Sequence, residues 1–181
     1  MRMRRTKNRK FRNGIVHFYD EVSVSHLVLK VGILILPLFV KIQDFTLLKE
    51  LFRLRQEVKD WIESSEYDFE TAKAMFKAGR YNYCIFMCHQ AVEKLLKALI
   101  IFINKEFPPK THNLIILLEE IDHYPDKEMQ TIILKLNPHY MVSRYPDAAG
   151  GPSHKMYNDQ IASEFLKDTE KVMEWLKQKM K

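Results

Sequence analysis

Residues 81–104, with the sequence YNYCIFMCHQAVEKLLKALIIFIN, place apolar side chains on almost every side of a helical wheel. A helix on the surface of a domain shows a single apolar stripe. The stretch is therefore predicted to be the central helix of a helical domain. Its polar residues recur at spacings of three and four, so we expect them to project together toward one groove or one partner surface. This polar seam consists of His89, Gln90, Glu93, Lys94 and Lys97.

The net charge of +6 arises from basic residues at the N-terminal end of the chain. Residues 1–12 hold seven basic side chains and no acidic one, which leaves 22 basic against 23 acidic residues in the rest of the chain. Electrostatic attraction to phosphate or to anionic lipid is therefore predicted to lie mostly in this basic tail. The length of 181 residues and the hydrophobic content of 46% fit one globular domain with a substantial core.

The first fifty residues differ in character from the rest of the chain. After the basic tail, the apolar run from Leu27 to Val40 has only 14 residues and contains Lys30 and Pro37. Because a membrane span requires about 20 apolar residues, no span is expected. Two alternatives remain: a short apolar segment packed on the domain, or a translation start assigned too far upstream. We predict an N-terminal extension at 1–50 and a helical domain at 51–181.

The pattern from residue 54 onward is typical of a helix packed along another helix, and Gly79 marks its end. The apolar and small residues that repeat at four and three are Val58, Ile62, Ser65, Phe69, Ala72 and Phe76. The short link of Gly79 and Arg80 then predicts an antiparallel hairpin with the central helix.

Three further helices are predicted beyond the central one. Thr111 can cap a helix over 113–121, a second helix covers 127–136, and the last covers 157–179. A segment rich in turn formers separates the last two helices and is predicted to be the one long loop. The predicted fold is all-α, an antiparallel up-and-down bundle of four to five helices.

Common enzyme and cofactor motifs are missing from the sequence. The five glycines form neither a phosphate-binding loop nor a dinucleotide fingerprint, and there is no zinc pattern. We therefore predict no cofactor and no metal. Cys84 and Cys88 lie one helical turn apart in an apolar setting, which indicates two buried thiols in a reducing compartment. A cytoplasmic location follows as an expectation.

Four separate segments resemble the HEPN domain in their order along the chain. They are WIESSEYDFETAK from residue 61, GRYNYCIFMCHQAVEKLLKA from 79, PKTHNL from 109 and SRYPD from 143. The resemblance covers about residues 54–179 and leaves residues 1–50 outside. It implies a helical bundle that usually forms a homodimer and is often encoded beside a minimal nucleotidyltransferase in toxin–antitoxin pairs or defence systems. Family members are proposed to bind nucleotides or to cut RNA.

The ribonucleases of this family carry an Arg, four to six intervening residues and a His. The Arg can hold the scissile phosphate while the His transfers a proton, which needs no metal. This sequence departs from that pattern, because Arg80 and His89 are separated by eight residues and Arg144 and His154 by nine. Only Arg12 with His17 has the spacing, outside the resembling region, and the composition yields one such match by chance.

The segment Arg144-Tyr145-Pro146-Asp147 is the stronger candidate for a site. Arg144 would engage a phosphate and Tyr145 would stack on a base, with Asp147 close by. The structural alternative is that Arg144 pairs with Asp147 or with a carboxylate of the central helix while Tyr145 fills the core. The candidate nucleotide- or RNA-binding residues are Arg144, Tyr145, Asp147, Lys94, Lys97 and Glu93.

The polar seam and the histidines also have structural alternatives. Glu93 and Lys94 can form a solvated stripe or an intramolecular ion pair instead of a groove or dimer contact. His89 can be a hydrogen-bonded core histidine instead of a proton donor. The scattered His112, His123 and His139 receive no role.

Two functional hypotheses follow from the sequence. In the first, the protein is a non-catalytic, homodimeric HEPN component that binds nucleotide or RNA and acts with a minimal nucleotidyltransferase encoded as a separate chain. In the second, it is a metal-independent ribonuclease toxin that uses Arg144 with His154 or with His89.

Overall fold

The computed structural model describes residues 21–121 and 125–180, with side chains from residue 45 onward. Within these ranges the chain is helical and contains no strand, which confirms the all-α prediction. Five of the described helices have six or more residues, in agreement with the predicted four to five. The described elements are α1 (Glu21–Lys77), α2 (Tyr81–Asn104), α3 (Leu114–Glu119), α4 (Lys127–Leu136), α5 (His139–Val142), α6 (Pro146–Ala149), a 3₁₀ turn (Ser153–Lys155) and α7 (Asp159–Gln178).

Internal contacts divide the chain into one unit of residues 1–47 and another of residues 48–181. The predicted boundary at residue 50 between an extension and a domain stays a prediction. α1 begins well before the predicted helix start at residue 54. The basic tail at 1–12 and the match of Arg12 with His17 lie outside the described residues. None of the helices searched in the described part is long and apolar enough to cross a bilayer.

α2 is the central helix of the second unit, as predicted. Fifteen of its 24 residues are buried, and it contacts α3, α4, α5 and α7. Leu95, Leu96 and Leu99 are fully buried, and Cys84 and Cys88 are buried thiols as predicted. Burial raises the pKa of the Cys88 thiol well above its usual value. The apolar residues on nearly all sides of α2 are therefore explained by the helices that pack around it.

The hairpin between α1 and α2 forms at Gly79. Gly79 has a φ of +69°, a conformation that favours glycine, and the Arg80 amide donates to the Met75 carbonyl at 2.8 Å. Farther along the hairpin, the buried Ser65 hydroxyl donates to the Ala91 carbonyl at 2.6 Å. Ser65 belongs to the predicted packing seam of α1, and this bond fixes the register of α1 against α2.

Side chains cap the shorter helices, but not all of them as predicted. Asn113, and not Thr111, caps α3, because the Asn113 Oδ1 accepts from the amides of Ile115 at 2.9 Å and Ile116 at 3.4 Å. Thr111 instead accepts from the Asn113 amide at 3.1 Å. The prediction for Thr111 was wrong by two residues because Asn and Thr are both good caps and only one is in the capping position.

The predicted long loop contains two short helices and a 3₁₀ turn, and it is anchored to the core. The Asn82 side chain of α2 donates to the Ser143 carbonyl at 3.1 Å. His139 Nδ1 and the Tyr157 hydroxyl share a hydrogen bond of 2.8 Å. Burial lowers the pKa of His139 to about 4 and raises the pKa of Tyr157 to about 12, so both groups are neutral at pH 7. Arg144, directly after α5, is therefore held in a defined place.

Candidate nucleotide-binding site

One face of α2 meets the segment before α3 and the end of α5. α2 contributes side chains at spacings of three, four and four, which places them on one face of the helix. The segment before α3 contributes an imidazole, and α5 contributes an aromatic ring with an Arg one helical turn later. We call this group the Tyr140 cluster; its members are Phe86, His89, Glu93, Lys97, His112, Tyr140 and Arg144.

Glu93 is the buried anion of the Tyr140 cluster, and it has two cationic or hydrogen-donating neighbours. Lys97 Nζ lies 2.8 Å from Glu93 Oε1, and His112 Nδ1 lies 3.0 Å from both carboxylate oxygens. Because Nδ1 faces a carboxylate, we assign the ring proton to Nδ1, which leaves the lone pair on Nε2. The His112 side chain is 53% exposed. The cluster therefore contains a histidine oriented by a carboxylate and open to solvent.

Tyr140 connects this histidine to Arg144. The His112 ring stacks on the Tyr140 ring, with 4.3 Å between ring centres and an interplanar angle of 11°. The guanidinium carbon of Arg144 lies 4.2 Å from the centre of the same Tyr140 ring. The guanidinium and the imidazole are thus separated by no more than the sum of these two distances. A single nucleotide unit is large enough to contact both.

Arg144 is held by backbone and aromatic contacts. Its Nε and Nη2 donate to the Tyr140 carbonyl at 2.9 and 2.8 Å, and its guanidinium carbon lies 4.3 Å from the centre of the Phe86 ring. Among the described residues no carboxylate lies within 4.0 Å of it. The structural alternative, in which Arg144 pairs with Asp147 or with a carboxylate of α2, is therefore not what the structure shows. Arg144 is an oriented cation with donors left for a ligand.

Tyr145 and Asp147 lie beside Arg144 on the surface. The Tyr145 side chain is 44% exposed, and its ring centre is 5.0 Å from the guanidinium carbon of Arg144. Tyr145 therefore does not fill the core, contrary to the structural alternative. Asp147 is exposed in the first turn of α6. An exposed ring beside a cation suits base stacking next to a phosphate.

Of the two histidines predicted as catalytic candidates, His89 is fully buried and His154 is exposed in the 3₁₀ turn. Neither ring nitrogen of His89 has a hydrogen-bond partner in the described structure, so His89 is a core histidine but not a hydrogen-bonded one. Burial lowers the pKa of His89 to about 4, although the charge of Glu93 at 3.8 Å opposes this shift. No described contact joins His154 to Arg144.

The polar seam of α2 does not face a single groove, and that prediction was wrong. Lys94 Nζ lies 2.6 Å from Asp68 Oδ2 on α1, whereas Glu93 faces His112. Lys97 pairs with Glu93 and also lies 5.3 Å from the centre of the Trp61 ring. Lys94 and Glu93 are thus engaged in intramolecular ion pairs, which was the structural alternative for these two residues.

Three members of the cluster, Phe86, His112 and Tyr140, had no functional role in the sequence analysis. His112 lies in the Pro-Lys-Thr-His-Asn-Leu segment of the HEPN resemblance, and Tyr140 precedes Arg144 by one helical turn. These two positions are the sequence features that could have indicated a role for His112 and Tyr140. Among the described residues, no group of three His, Cys, Asp or Glu side chains is placed to hold a metal ion.

The buried His89 makes stability depend on pH. Its folded pKa of about 4 is below the ordinary 6.5, so the unfolded chain takes up the proton first as the pH falls. The stability contributed by neutral His89 is fully present above pH 6.5 and is lost between pH 6.5 and 4. We expect urea unfolding at pH 4.5 to show about 2 kcal/mol less stability from this group than at pH 7.5.

The variant His89→Gln should reduce this pH dependence, and His154→Gln, at an exposed position, should leave it unchanged. An equal loss of stability on acidification in the wild-type protein and in His89→Gln would contradict the assignment. The half-buried His139, whose pKa is also lowered to about 4, keeps part of the pH dependence in all three proteins.

Comparison with known proteins gives one family. The family model of the HEPN domain matches residues 58–179. The curated protein named "Putative toxin MJ1304", from Methanocaldococcus jannaschii, is 31% identical over 133 residues, which cover 68% of this chain and 88% of that protein.

Two crystal structures have a similar fold. TT1696 from Thermus thermophilus has a TM-score of 0.62 and 26% identity, over 67% of this chain and 97% of that one. ST0689, described as an archaeal HEPN homologue, has a TM-score of 0.58 and 27% identity, over 68% of this chain and 98% of that one.

Proposed function

The chain belongs to the HEPN domain family, and we propose that it binds nucleotide or RNA as a component of a toxin–antitoxin-like or defence module. The proposed binding site is the Tyr140 cluster together with Tyr145. The name of the Methanocaldococcus jannaschii relative supports the toxin–antitoxin setting. The further parts of the proposal are a homodimer, a cytoplasmic location and a separate minimal nucleotidyltransferase chain as partner.

The observation that supports the binding proposal most strongly is the fixed orientation of the Arg144 guanidinium, with no described carboxylate paired to it. A guanidinium can bind a phosphate through two parallel N–H donors. The hydrogen bonds from Nε and Nη2 to the Tyr140 carbonyl and the contact with the Tyr140 ring fix its plane. Little side-chain freedom is then left to lose on binding. No described carboxylate competes for the cation, and the exposed Tyr145 ring lies beside it.

The charge distribution shows how a binding experiment must be designed. Residues 1–12 carry seven basic side chains, whereas the rest of the chain is close to neutral. The tail can therefore attract RNA without using the Tyr140 cluster, and that attraction weakens steeply with salt. Binding through one oriented Arg and an aromatic ring depends less on salt. Measurements at moderate salt separate the two contributions.

Replacing Arg144 should weaken binding to a short single-stranded RNA and to a nucleotide. We expect Arg144→Ala to raise the Kd about tenfold or more, since charge-assisted hydrogen bonds to the phosphate and the stacked cation are both lost. Arg144→Lys should recover only part of the affinity, because an ammonium lacks the planar fork. Fluorescence anisotropy at two salt concentrations measures both effects.

The matched control for this experiment is Arg80→Ala, which removes the same positive charge from an exposed side chain directly before α2. Its affinity should equal that of the wild-type protein at moderate salt. Equal Kd values for Arg144→Ala and Arg80→Ala would reject the Tyr140 cluster as the binding site.

A second candidate function is metal-independent RNA cleavage, and the pairing of Glu93 with His112 favours it. His112 Nε2 would take the proton from a 2′-hydroxyl, whose oxygen attacks the phosphorus while the bond to the 5′-oxygen breaks. The leaving oxygen takes a proton from water, giving a 2′,3′-cyclic phosphate and a 5′-hydroxyl. Arg144 would bind the phosphate oxygens as charge develops there. His112 replaces His154 and His89 in this hypothesis, because it is exposed and stacks on the Tyr140 ring that Arg144 also contacts.

A further inference from the structure

A concave surface that shares no lining residue with the Tyr140 cluster lies where the middle of α1, residues 51–59, passes the last turn of α2. It is a groove of about 470 Å³ within residues 48–181. Its apolar walls are Leu51, Leu54 and Val58 from α1 and Ile101 and Phe102 from α2. This volume is in the range of typical ligand-binding clefts, about 300–1,000 Å³. We call it the α1–α2 groove.

The groove arises because the packing seam of α1 extends past the end of α2. Val58 belongs to the seam that packs along α2, and Leu54 and Leu51 continue it toward the start of the unit at spacings of four and three. α2 ends at Asn104, and Lys105 leaves the helix in the left-handed conformation with a φ of 58°. Leu51 is therefore 39% exposed. The residues of this apolar stripe have the spacing of three and four on which another helix can pack.

Cations surround this apolar stripe. Arg55, Lys59 and Lys105 line the groove, and no acidic side chain lines it. Among the described residues, none of these three cations has a carboxylate within 4.0 Å. The Lys105 ammonium donates to the Phe102 carbonyl, so it stays at the end of α2. Three unneutralised cations around an apolar floor attract an anionic, apolar ligand.

We propose that the α1–α2 groove binds an amphipathic helix of a partner protein, with apolar residues on one face and Asp or Glu beside them. The partner's apolar face would contact the exposed Leu51 and Phe102 and the half-buried Val58, above the buried Leu54. Its carboxylates would pair with Arg55, Lys59 and Lys105. The basic tail at 1–12 of a second copy does not fit this groove, because like charges would oppose each other.

The test is a selection from a displayed library of helical peptides. Each peptide presents Leu, Ile or Phe at positions i, i+3, i+4 and i+7, and its flanking positions are varied among Glu, Lys and Ser. The full-length protein is used as the bait in parallel with the double variant Arg55→Glu/Lys59→Glu. Circular dichroism verifies that the variant keeps its helical content. Sedimentation measures the mass of both proteins.

The wild-type protein should enrich peptides with Glu at the flanks, and a selected peptide should bind the charge-reversed variant at least tenfold more weakly. The variant should enrich Lys at the flanks instead. Lys171→Glu, on α7, is the control and should leave the selection unchanged. No enrichment, or the same flanking residues from wild type and variant, would overturn the proposal. A dimer that dissociates in the variant would also overturn it, since a second copy would then occupy the groove.

Discussion

Glu93→Ala is expected to destabilise the protein by about 3 to 5 kcal/mol, the cost of leaving a buried charge without its partner. Glu93 is 3% exposed and Lys97 is 8% exposed, and the ammonium lies 2.8 Å from the carboxylate. In Glu93→Ala the Lys97 ammonium stays in the interior without an anion. Urea unfolding at pH 7.5 measures the difference in the free energy of unfolding.

Two further variants separate the ion pair from packing. Glu93→Leu combined with Lys97→Met removes both charges and should recover most of the lost stability, because a buried pair is often no more stable than apolar residues of similar size. Glu70→Ala removes the surface partner of Lys73, whose ion pair has a distance of 2.9 Å, and should cost less than about 1 kcal/mol. A loss in Glu93→Ala as small as that in Glu70→Ala would contradict the buried-pair interpretation.

His112→Gln is expected to slow RNA cleavage about 10²- to 10⁴-fold, the usual contribution of a general base, if the second candidate function is correct. Its Nδ1 is held at 3.0 Å from both oxygens of Glu93, and 53% of its side chain is exposed, so Nε2 can reach a bound 2′-hydroxyl. Gln preserves a polar side chain of similar reach but cannot take up the proton. The assay follows 2′,3′-cyclic phosphate formation on single-stranded RNA in the presence of a chelator.

The control and the binding measurement distinguish the two candidate functions. His154→Gln should cleave at the wild-type rate, since His154 is exposed in the 3₁₀ turn and has no described contact with Arg144. His112→Gln should lose much less RNA affinity than Arg144→Ala, because Gln keeps a polar side chain at this position and the Arg144 cation is still present. If the wild-type protein binds RNA and does not cleave it, the ribonuclease hypothesis fails and the binding proposal stands.

The sequence was sufficient to predict the helical architecture because the strongest signals are local. Residues 81–104 have apolar side chains on almost every side of the helix, which predicts packing neighbours on almost every side. Gly79 adopts the positive φ at the hairpin turn. The two short helices α5 and α6 escaped detection, since a four-residue helix has too few residues for a periodic signal. They are held by tertiary contacts such as the bond from Asn82 to Ser143.

The candidate site was only partly predictable because its contacts join residues that are distant in sequence. Arg144 and Glu93 were singled out by their residue types and settings, and both belong to the Tyr140 cluster. The contact of His112 with Glu93 spans 19 residues and passes through the turn at the end of α2. Lys94 and Glu93 are adjacent in sequence, yet Lys94 faces α1 and Glu93 faces the segment before α3. Spacing along one helix shows which side chains are neighbours, but not which partner lies opposite.

The most direct test of the binding proposal is to locate the bound RNA on the protein. A short RNA containing 4-thiouridine would be crosslinked to the full-length protein at moderate salt, and mass spectrometry would identify the crosslinked peptides. The proposal predicts crosslinks within 139–147 and around His112, with their loss in Arg144→Ala. Crosslinks confined to the basic tail at 1–12, unchanged in Arg144→Ala, would contradict it.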